Sequence, residues 1–327
     1  MKSILISGIQ PTGKLHIGNY FGALKNFVDL QNSGKYQCYF FIADLHALTE
    51  NPAPKDLNQN ILNLTADFLA SGLDPKKSVI FQQSRISVHS ELMWILNTIA
   101  KIPELELMTQ FKDKAKQFRQ SVNLGLFNYP VLMAADVLLY NTKFVPVGND
   151  QDQHLEITRT LARRFNKIFG KTFVEPKAIH TLTPRVMSLI NPEKKMSKSQ
   201  PESCVFIDDS PEQIKAKIKK AVTDSGSEIK YNRKDKPAIS NLLEIYSSLS
   251  GKTINDLEKK FKGKNYSVFK NDLIGVVADY FADFRKNKSI LIKNKSKLFS
   301  ILKSGSQKAS QRAEKKIIEV KKKIGLA

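Results

Sequence analysis

Lys195-Met196-Ser197-Lys198-Ser199 places two ammonium groups three residues apart in a loop of small and polar residues. Point charges on flexible stems suit a polyphosphate, whose negative charge redistributes as a P–O bond breaks. A solvated lysine run is the bland alternative. A second stretch with chemical potential is Ser7 to Leu24, reading SGIQPTGKLHIGNYFGAL. There Gly8, Pro11 and Gly13 keep a loop irregular, Gly18 permits close approach to a helix start, and such a start attracts phosphate. His16 and Asn19 flank that glycine, and the competing reading is that they only cap the helix. A third polar stretch, Gly148-Asn149-Asp150-Gln151-Asp152-Gln153-His154, also joins an apolar run to a helical pattern.

The elements that would position these residues alternate. Ile4 to Ile6, Cys38 to Ala43, Ser78 to Phe81 and Thr142 to Val147 read as strands, and the segments Asn19 to Leu30, Leu57 to Leu73, Val88 to Ile99 and Gln153 to Phe169 carry apolar residues at helical spacing. Strands apolar on both faces and separated by helices predict an α/β fold, a doubly wound parallel sheet of Rossmann-like type. Ligands of such sheets bind at the carboxyl ends of the strands. From Ser210 onward the pattern is helical, over Pro211 to Val222, Ala238 to Leu249, Ile254 to Phe261, Val268 to Phe284 and Ser306 to Ile324. The expectation is therefore a catalytic domain over 1–190 and a part over 191–327 holding the lysine loop and a helical domain. The last helix, about 304–324, is expected to pack back on the first domain.

The formal charge of +21 on 327 residues points to a polyanionic partner, nucleic acid first. Cys38 and Cys204 are too few for a disulfide framework, a zinc site or an iron–sulfur cluster, so none is expected, nor any other resident metal. The apolar run at the N-terminus stops at Ile6, too short for a signal peptide, and no run of membrane-spanning length comes after it, so a cytoplasmic setting is expected. A P-loop is tested and set aside. Gly8 to Lys14 fits its first seven positions, but Leu15 stands where the Mg²⁺-holding hydroxyl belongs and Pro11 removes a cradling amide.

His16-Ile17-Gly18-Asn19 resembles the HIGH signature of class I aminoacyl-tRNA synthetases, and Lys195 to Ser199 is the KMSKS sequence of that class. With Gly148 to His154 running into LEITRTLARRFN, and with Thr223-Asp224-Ser225, the chain resembles the bacterial tryptophanyl-tRNA synthetase family over most of residues 3–250. The resemblance implies that Gln10, Pro11, Thr12, Gly18 and Asn19 hold ATP, with Gln10, His16 and Asn19 at the reacting phosphates. It also implies that Gly148, Asn149 and Asp150 contact the adenosine, and that the backbone of Val186 meets the adenine. Lys195, Met196, Ser197, Lys198 and Ser199 would close on the pyrophosphate, with Lys114 reaching the same phosphates. Tyr129 and Gln151 would orient the amino group of tryptophan, and His46 would line its pocket.

Asp136 is the one charged side chain between Arg119 and Lys143, and Tyr129, Met133, Asp136 and Tyr140 share a helix face. A buried carboxylate needs donors. The expectation is that the indole N–H supplies one and Met133 packs the rings, against the alternative of a structural Asp paired with a Lys or Arg. The reaction implied by the resemblance is activation of L-tryptophan by ATP, with Mg²⁺ carried on the phosphates, then transfer to tRNA(Trp) by a homodimer with no membrane role. The rivals are tyrosyl-tRNA synthetase and a non-catalytic, synthetase-derived RNA-binding protein.

Overall fold

Strands form where short apolar runs are bounded by polar or glycine-bearing turns. In the computed structural model, which describes residues 2–109, 111–112, 122–148, 151–180, 186–198 and 200–326, these are β1 (Ser3–Ile9), β2 (Tyr36–Ile42), β3 (Ser78–Gln82), β4 (Phe144–Val147) and β5 (Lys177–His180). All neighbours pair in parallel, in the order β3-β2-β1-β4-β5. The register runs from Ser3 opposite Tyr36 to Ile9 opposite Ile42, and β4 joins the other side of β1 with Phe144 opposite Leu5. Ile4, Leu5, Ile6 and the run from Cys38 to Ile42 are buried, as two covered faces require. The strand order reverses between β1 and β4, so the crevice that binds ligands in open α/β sheets lies at Ile9-Gln10 and Val147-Gly148.

The chain forms two compact units that are discontinuous in sequence. The first gathers Met1–Thr12, Asn26–Thr181 and Asn294–Ala327. It holds the sheet, most of α1 (Lys25–Asn32), then α2 (Pro54–Ala70), α3 (Val88–Asn97), α4 (Leu124–Leu138) and α5 (Asp152–Phe169). Its core combines strand residues such as Ile6 and Phe81 with Leu92 of α3, Ala135 of α4 and Phe165 of α5. The second unit is Gly13–Lys25 with Leu182–Lys293. It contains α6 (Pro211–Lys220), α7 (Pro237–Ser250), α8 (Ile254–Lys260), α9 (Tyr266–Tyr280) and α10 (Ala282–Lys293). Here Tyr246 stacks on Phe269, and Phe261 meets both edge-on.

Two helices differ from the sequence pattern. The single helix expected over Val268 to Phe284 is broken at Phe281, whose ring turns inward against Tyr20 with centroids 5.1 Å apart. The last helix, α11 (Lys295–Ile324), starts earlier than the expected 304. Asn294 accepts a hydrogen bond from the Lys297 N–H at its start, and Leu298 and Leu302 extend the buried stripe backward. In the first unit α11 lies on β3, the edge strand. Its stripe narrows there to Gly305, Ser306, Ala309 and Ala313, and a Cβ added at Gly305 would sit 1.8 Å from the Ile80 carbonyl oxygen.

Candidate active site

In the second unit the residues after the glycine-rich loop begin a helix at Ile17 with a reciprocal cap. Asn19 N–H donates to His16 Nδ1 at 3.2 Å, and His16 N–H donates to Asn19 Oδ1 at 3.3 Å. The capping alternative is thus present, and it has a chemical consequence. With Nδ1 accepting, a neutral His16 carries its proton on Nε2. Burial, with the Lys198 charge, lowers His16 to about 4, so the ring is neutral near pH 7 and offers an N–H without a charge. A Cβ on Gly18 would lie 2.9 Å from His16 Cε1 and 3.5 Å from Val186 Cβ, so only glycine leaves the imidazole where it is. The helix then opens into a π-helical turn over Tyr20–Leu24.

The lysine loop and the helix start are held by one scaffold within this unit. Ile17 N–H donates to Val205 C=O and Ile207 N–H to Leu15 C=O, both at 3.0 Å, forming a short antiparallel pairing. The Cys204 thiol donates to the Ser197 carbonyl at 2.9 Å, Met196 N–H donates to the Val186 carbonyl at 3.4 Å, and Lys195 bridges Met187. Asn241 of α7 clamps Met187 through both its N–H and its C=O. Met196 is buried as an anchor, Lys198 is half-buried, and Lys195 and Ser197 are exposed. Asp208, just beyond the paired segment, binds Lys288 of α10 at 2.9 Å and Lys14 at 3.4 Å. Thr223-Asp224-Ser225 has a local role: the Asp224 carboxylate accepts from the Ala238 and Ile239 N–H groups at the start of α7.

In the first unit Asp136 on α4 is fully buried, and its partners are two imidazoles and an amide. His89 Nδ1 and Gln83 Nε2 donate to Oδ1 at 2.6 and 2.7 Å. His46 Nε2 and Gln83 Nε2 donate to Oδ2 at 2.8 and 2.9 Å. The Lys or Arg partner of the structural alternative is not among these. Burial pushes the carboxyl up, and the hydrogen bonds from His46 and His89 more than offset it, leaving Asp136 below its usual range and ionised. The face-sharing of Tyr129 and Tyr140 with Asp136 serves two partners: the Tyr129 hydroxyl meets His154 Nε2 at 2.6 Å, and the Tyr140 hydroxyl meets His89 Nε2 at 2.8 Å. The Tyr129 ring stands edge-on to His46, with centroids 6.3 Å apart.

A cavity of about 270 Å³ opens beside Tyr129, between Leu45, Leu48, Met93 and Leu132. Of the residues expected to bind the amino acid, Tyr129 lines it and Met133, Asp136, Gln151 and His46 do not. The structure brings Tyr129, His46 and Asp136 together, with Met133 half-buried on the same helix and Gln151 half-buried at the start of α5. Gln10, Pro11 and Thr12 come directly after β1, and Gly148 directly after β4, at the reversal of strand order. Lys114, Asn149, Asp150 and Ser199 lie outside the described residues. His89 and Gln83 carry no role in the sequence pattern. A lone His in an apolar helix gives no signal, and Gln83 registers only as part of a polar strand end.

A family model described as tRNA synthetases class I (W and Y) matches residues 1–282. The chain belongs to that family. Its relatives include the tryptophan–tRNA ligase of Caldanaerobacter subterraneus subsp. tengcongensis, 48% identical over 325 residues and covering 98% of each chain. The Bacillus subtilis tryptophan–tRNA ligase is 46% identical over 329 residues, covering 100% of this chain and 98% of the relative. Among solved structures, tryptophanyl-tRNA synthetase from Mycoplasma pneumoniae superposes with a TM-score of 0.89 at 34% identity, covering 100% of this chain and 99% of the other. The Campylobacter jejuni enzyme, solved with ADP and tryptophan, gives 0.84 at 38% identity, covering 98% and 99%. As a class I synthetase the chain has the doubly wound parallel sheet that its residue pattern predicts.

Proposed function

We propose that this class I synthetase is a tryptophan–tRNA ligase, which activates L-tryptophan with ATP and transfers it to tRNA(Trp). The observation that carries the substrate is full-length identity of 46–48% to ligases of that name. The amino-acid carboxylate attacks the α-phosphorus of ATP, the bond to the bridging oxygen breaks, and tryptophanyl-adenylate and pyrophosphate form. A hydroxyl of the terminal adenosine of tRNA then displaces AMP. No protein nucleophile is needed, so the chain's work is alignment and charge neutralisation.

On this reading Gln10, Pro11, Thr12, Gly18 and Asn19 hold ATP, and the neutral His16 donates its Nε2–H to a phosphate oxygen. Gly148, Asn149 and Asp150 take the adenosine, and the Val186 backbone takes the adenine. Lys195, Met196, Ser197, Lys198 and Ser199 close on the pyrophosphate, joined by Lys114. His46, Tyr129, Met133, Asp136 and Gln151 bind tryptophan, the ionised Asp136 accepting from the indole N–H. Among the described residues no three His, Cys, Asp or Glu side chains group so as to hold a metal ion. Mg²⁺ belongs to this reading as a companion of the triphosphate, and no step is routed through it.

The domain reading assigns ATP and amino-acid binding to 1–190 and the lysine loop with the anticodon-reading helices to 191–327. Among the described residues no helix is long and apolar enough to cross a membrane, and both cysteines are free and buried, which fits a cytoplasmic enzyme. Trp94, Ile102, Leu107 and Leu124 are exposed apolar side chains in the first unit, suited to a homodimer contact. The test is exchange of labelled pyrophosphate into ATP with tryptophan, with tyrosine and with neither. Exchange with tryptophan and little with tyrosine is expected; equal exchange with both, or none, overturns the assignment.

A further inference from the structure

Asp136 reaches its donors from three different elements of the first unit, and those donors are unequal. Oδ1 is held by His89 of α3, whose ring is fully buried, and by the Gln83 amide. Oδ2 is held by Gln83 and by His46, whose ring stands beside Tyr129. Gln83 is itself fixed, its Oε1 accepting from Leu45 N–H at 3.1 Å. Two oxygens of a carboxylate offer about four acceptor positions, and three donor nitrogens occupy them, with the Gln83 amide nitrogen in contact with both oxygens. Each oxygen thus has two contacts from the protein, and on the reading of Asp136 as the indole acceptor the indole N–H joins them at Oδ2, the oxygen bonded to His46, whose ring stands beside Tyr129.

His89 has a further constraint. Burial, and then the Asp136 charge, raise the Tyr140 phenol well above its usual value, so it keeps its proton. An O–H beside Nε2 donates to it, which leaves the proton of a neutral His89 on Nδ1, where it faces Asp136. The Tyr140 backbone is braced in turn: its carbonyl accepts from Arg312 Nε of α11 at 3.1 Å.

We propose that His89, with its proton held on Nδ1 by the Tyr140 hydroxyl, is a positioning residue for amino-acid selection, committing Oδ1 of Asp136 to the protein so that Oδ2 faces the indole N–H. The proposal rests on the reading of Asp136 as the indole acceptor. A carboxylate free to rotate could meet its donors in several ways and would lose the single geometry that rejects a side chain lacking an N–H. A site built around a hydrogen bond to its substrate discriminates because its own polar group goes unpaired with the wrong one.

The test compares full-length His89→Leu, His89→Asn, Tyr140→Phe and Asp136→Asn in pyrophosphate exchange, with KM for tryptophan and for ATP measured separately and phenylalanine as competitor. His89→Leu should raise the tryptophan KM about tenfold to a hundredfold, the range of a charge-assisted hydrogen bond, and narrow the preference over phenylalanine. Its kcat and ATP KM should stay near the parent. Asn carries an N–H near the Nδ1 position, so His89→Asn should recover most of the loss. Tyr140→Phe, which removes one hydroxyl from an otherwise unchanged ring, should raise the tryptophan KM by about threefold or more. If His89→Leu does not fold, His89→Asn and Tyr140→Phe decide: parent-like selectivity in Tyr140→Phe, or no recovery in a folded His89→Asn, overturns the proposal. If Asp136→Asn changes neither tryptophan KM nor selectivity, the underlying reading of Asp136 fails instead. If Asp136→Asn acts and neither His89→Leu nor Tyr140→Phe does, the reading stands and the positioning role is lost.

Discussion

At the scale of single residues, the chemistry of this site depends on which groups are kept neutral. His16 is paired with Asn19 in a cap and buried beside Lys198, and it sits at about 4 against an ordinary 6.5. That depression makes folding sensitive to acid. Below 6.5 the unfolded chain takes up a proton at this side chain that the folded chain refuses until about pH 4, so folding loses stability as pH falls through that window. A shift of that size corresponds to roughly 3 kcal/mol when complete. The expected outcome is that His16→Gln flattens the acid limb of a urea-denaturation series between pH 6.5 and 4 relative to the parent. At neutral pH, kcat/KM for ATP should show no ionisation near 6.5 that the substitution removes. An unchanged acid limb would mean that His16 titrates as an ordinary exposed imidazole.

At the scale of elements, α11 treats the open side of β3 as a surface to be sealed. An edge strand presents unpaired backbone groups, and covering it with a helix is one way to silence them. Gln82 N–H donates to the Ser306 hydroxyl at 3.4 Å, and Gly305 lies against the Ile80 peptide. Lys316 reaches the Thr172 carbonyl at 2.9 Å from the same helix. Because a Cβ at 305 meets backbone and not a side-chain tip, Gly305→Ala should cost about 3 kcal/mol or more, at the upper end of overpacking penalties. The control is Gly275→Ala in α9, where an added Cβ meets nothing within 4 Å and should gain up to about 1 kcal/mol from helix propensity. Equal denaturation midpoints for the two would show that α11 stands off the strand. The sheet that α11 covers was only partly legible in the sequence. The central strands announced themselves as continuous apolar runs because both faces are covered. β5 did not, because as the other edge strand it exposes Lys177 and His180 and half-buries only Ala178 and Ile179. The helix start at His16 and the loop at Lys195 stood out in the sequence because two short signatures mark them. The support of Asp136 by His89 and Gln83 did not, because it depends on side chains from separate elements meeting in space.

At the scale of the whole molecule, a chain with a formal charge of +21 repels its own copies, so any self-association has to come from apolar contact. Trp94 is the only tryptophan in the chain and is 72% exposed on α3, an unusual position for so large an apolar ring. Ile102, Leu107 and Leu124 are also exposed, and α4, which begins at Leu124, packs against both α3 and the short helix over Ile102–Glu106. A second copy of the chain is the occupant that the proposed homodimer requires, and aromatic anchors at such contacts cost about 2 kcal/mol or more when removed. Trp94→Lys should therefore weaken the dimer about thirtyfold or more, seen by light scattering across a dilution series. In the parent, emission from the single tryptophan should shift to the blue as concentration rises through the dimerisation range, since burial removes the indole from water. A dimer of undiminished strength in Trp94→Lys, with parent emission independent of concentration, would place the subunit contact elsewhere on the surface.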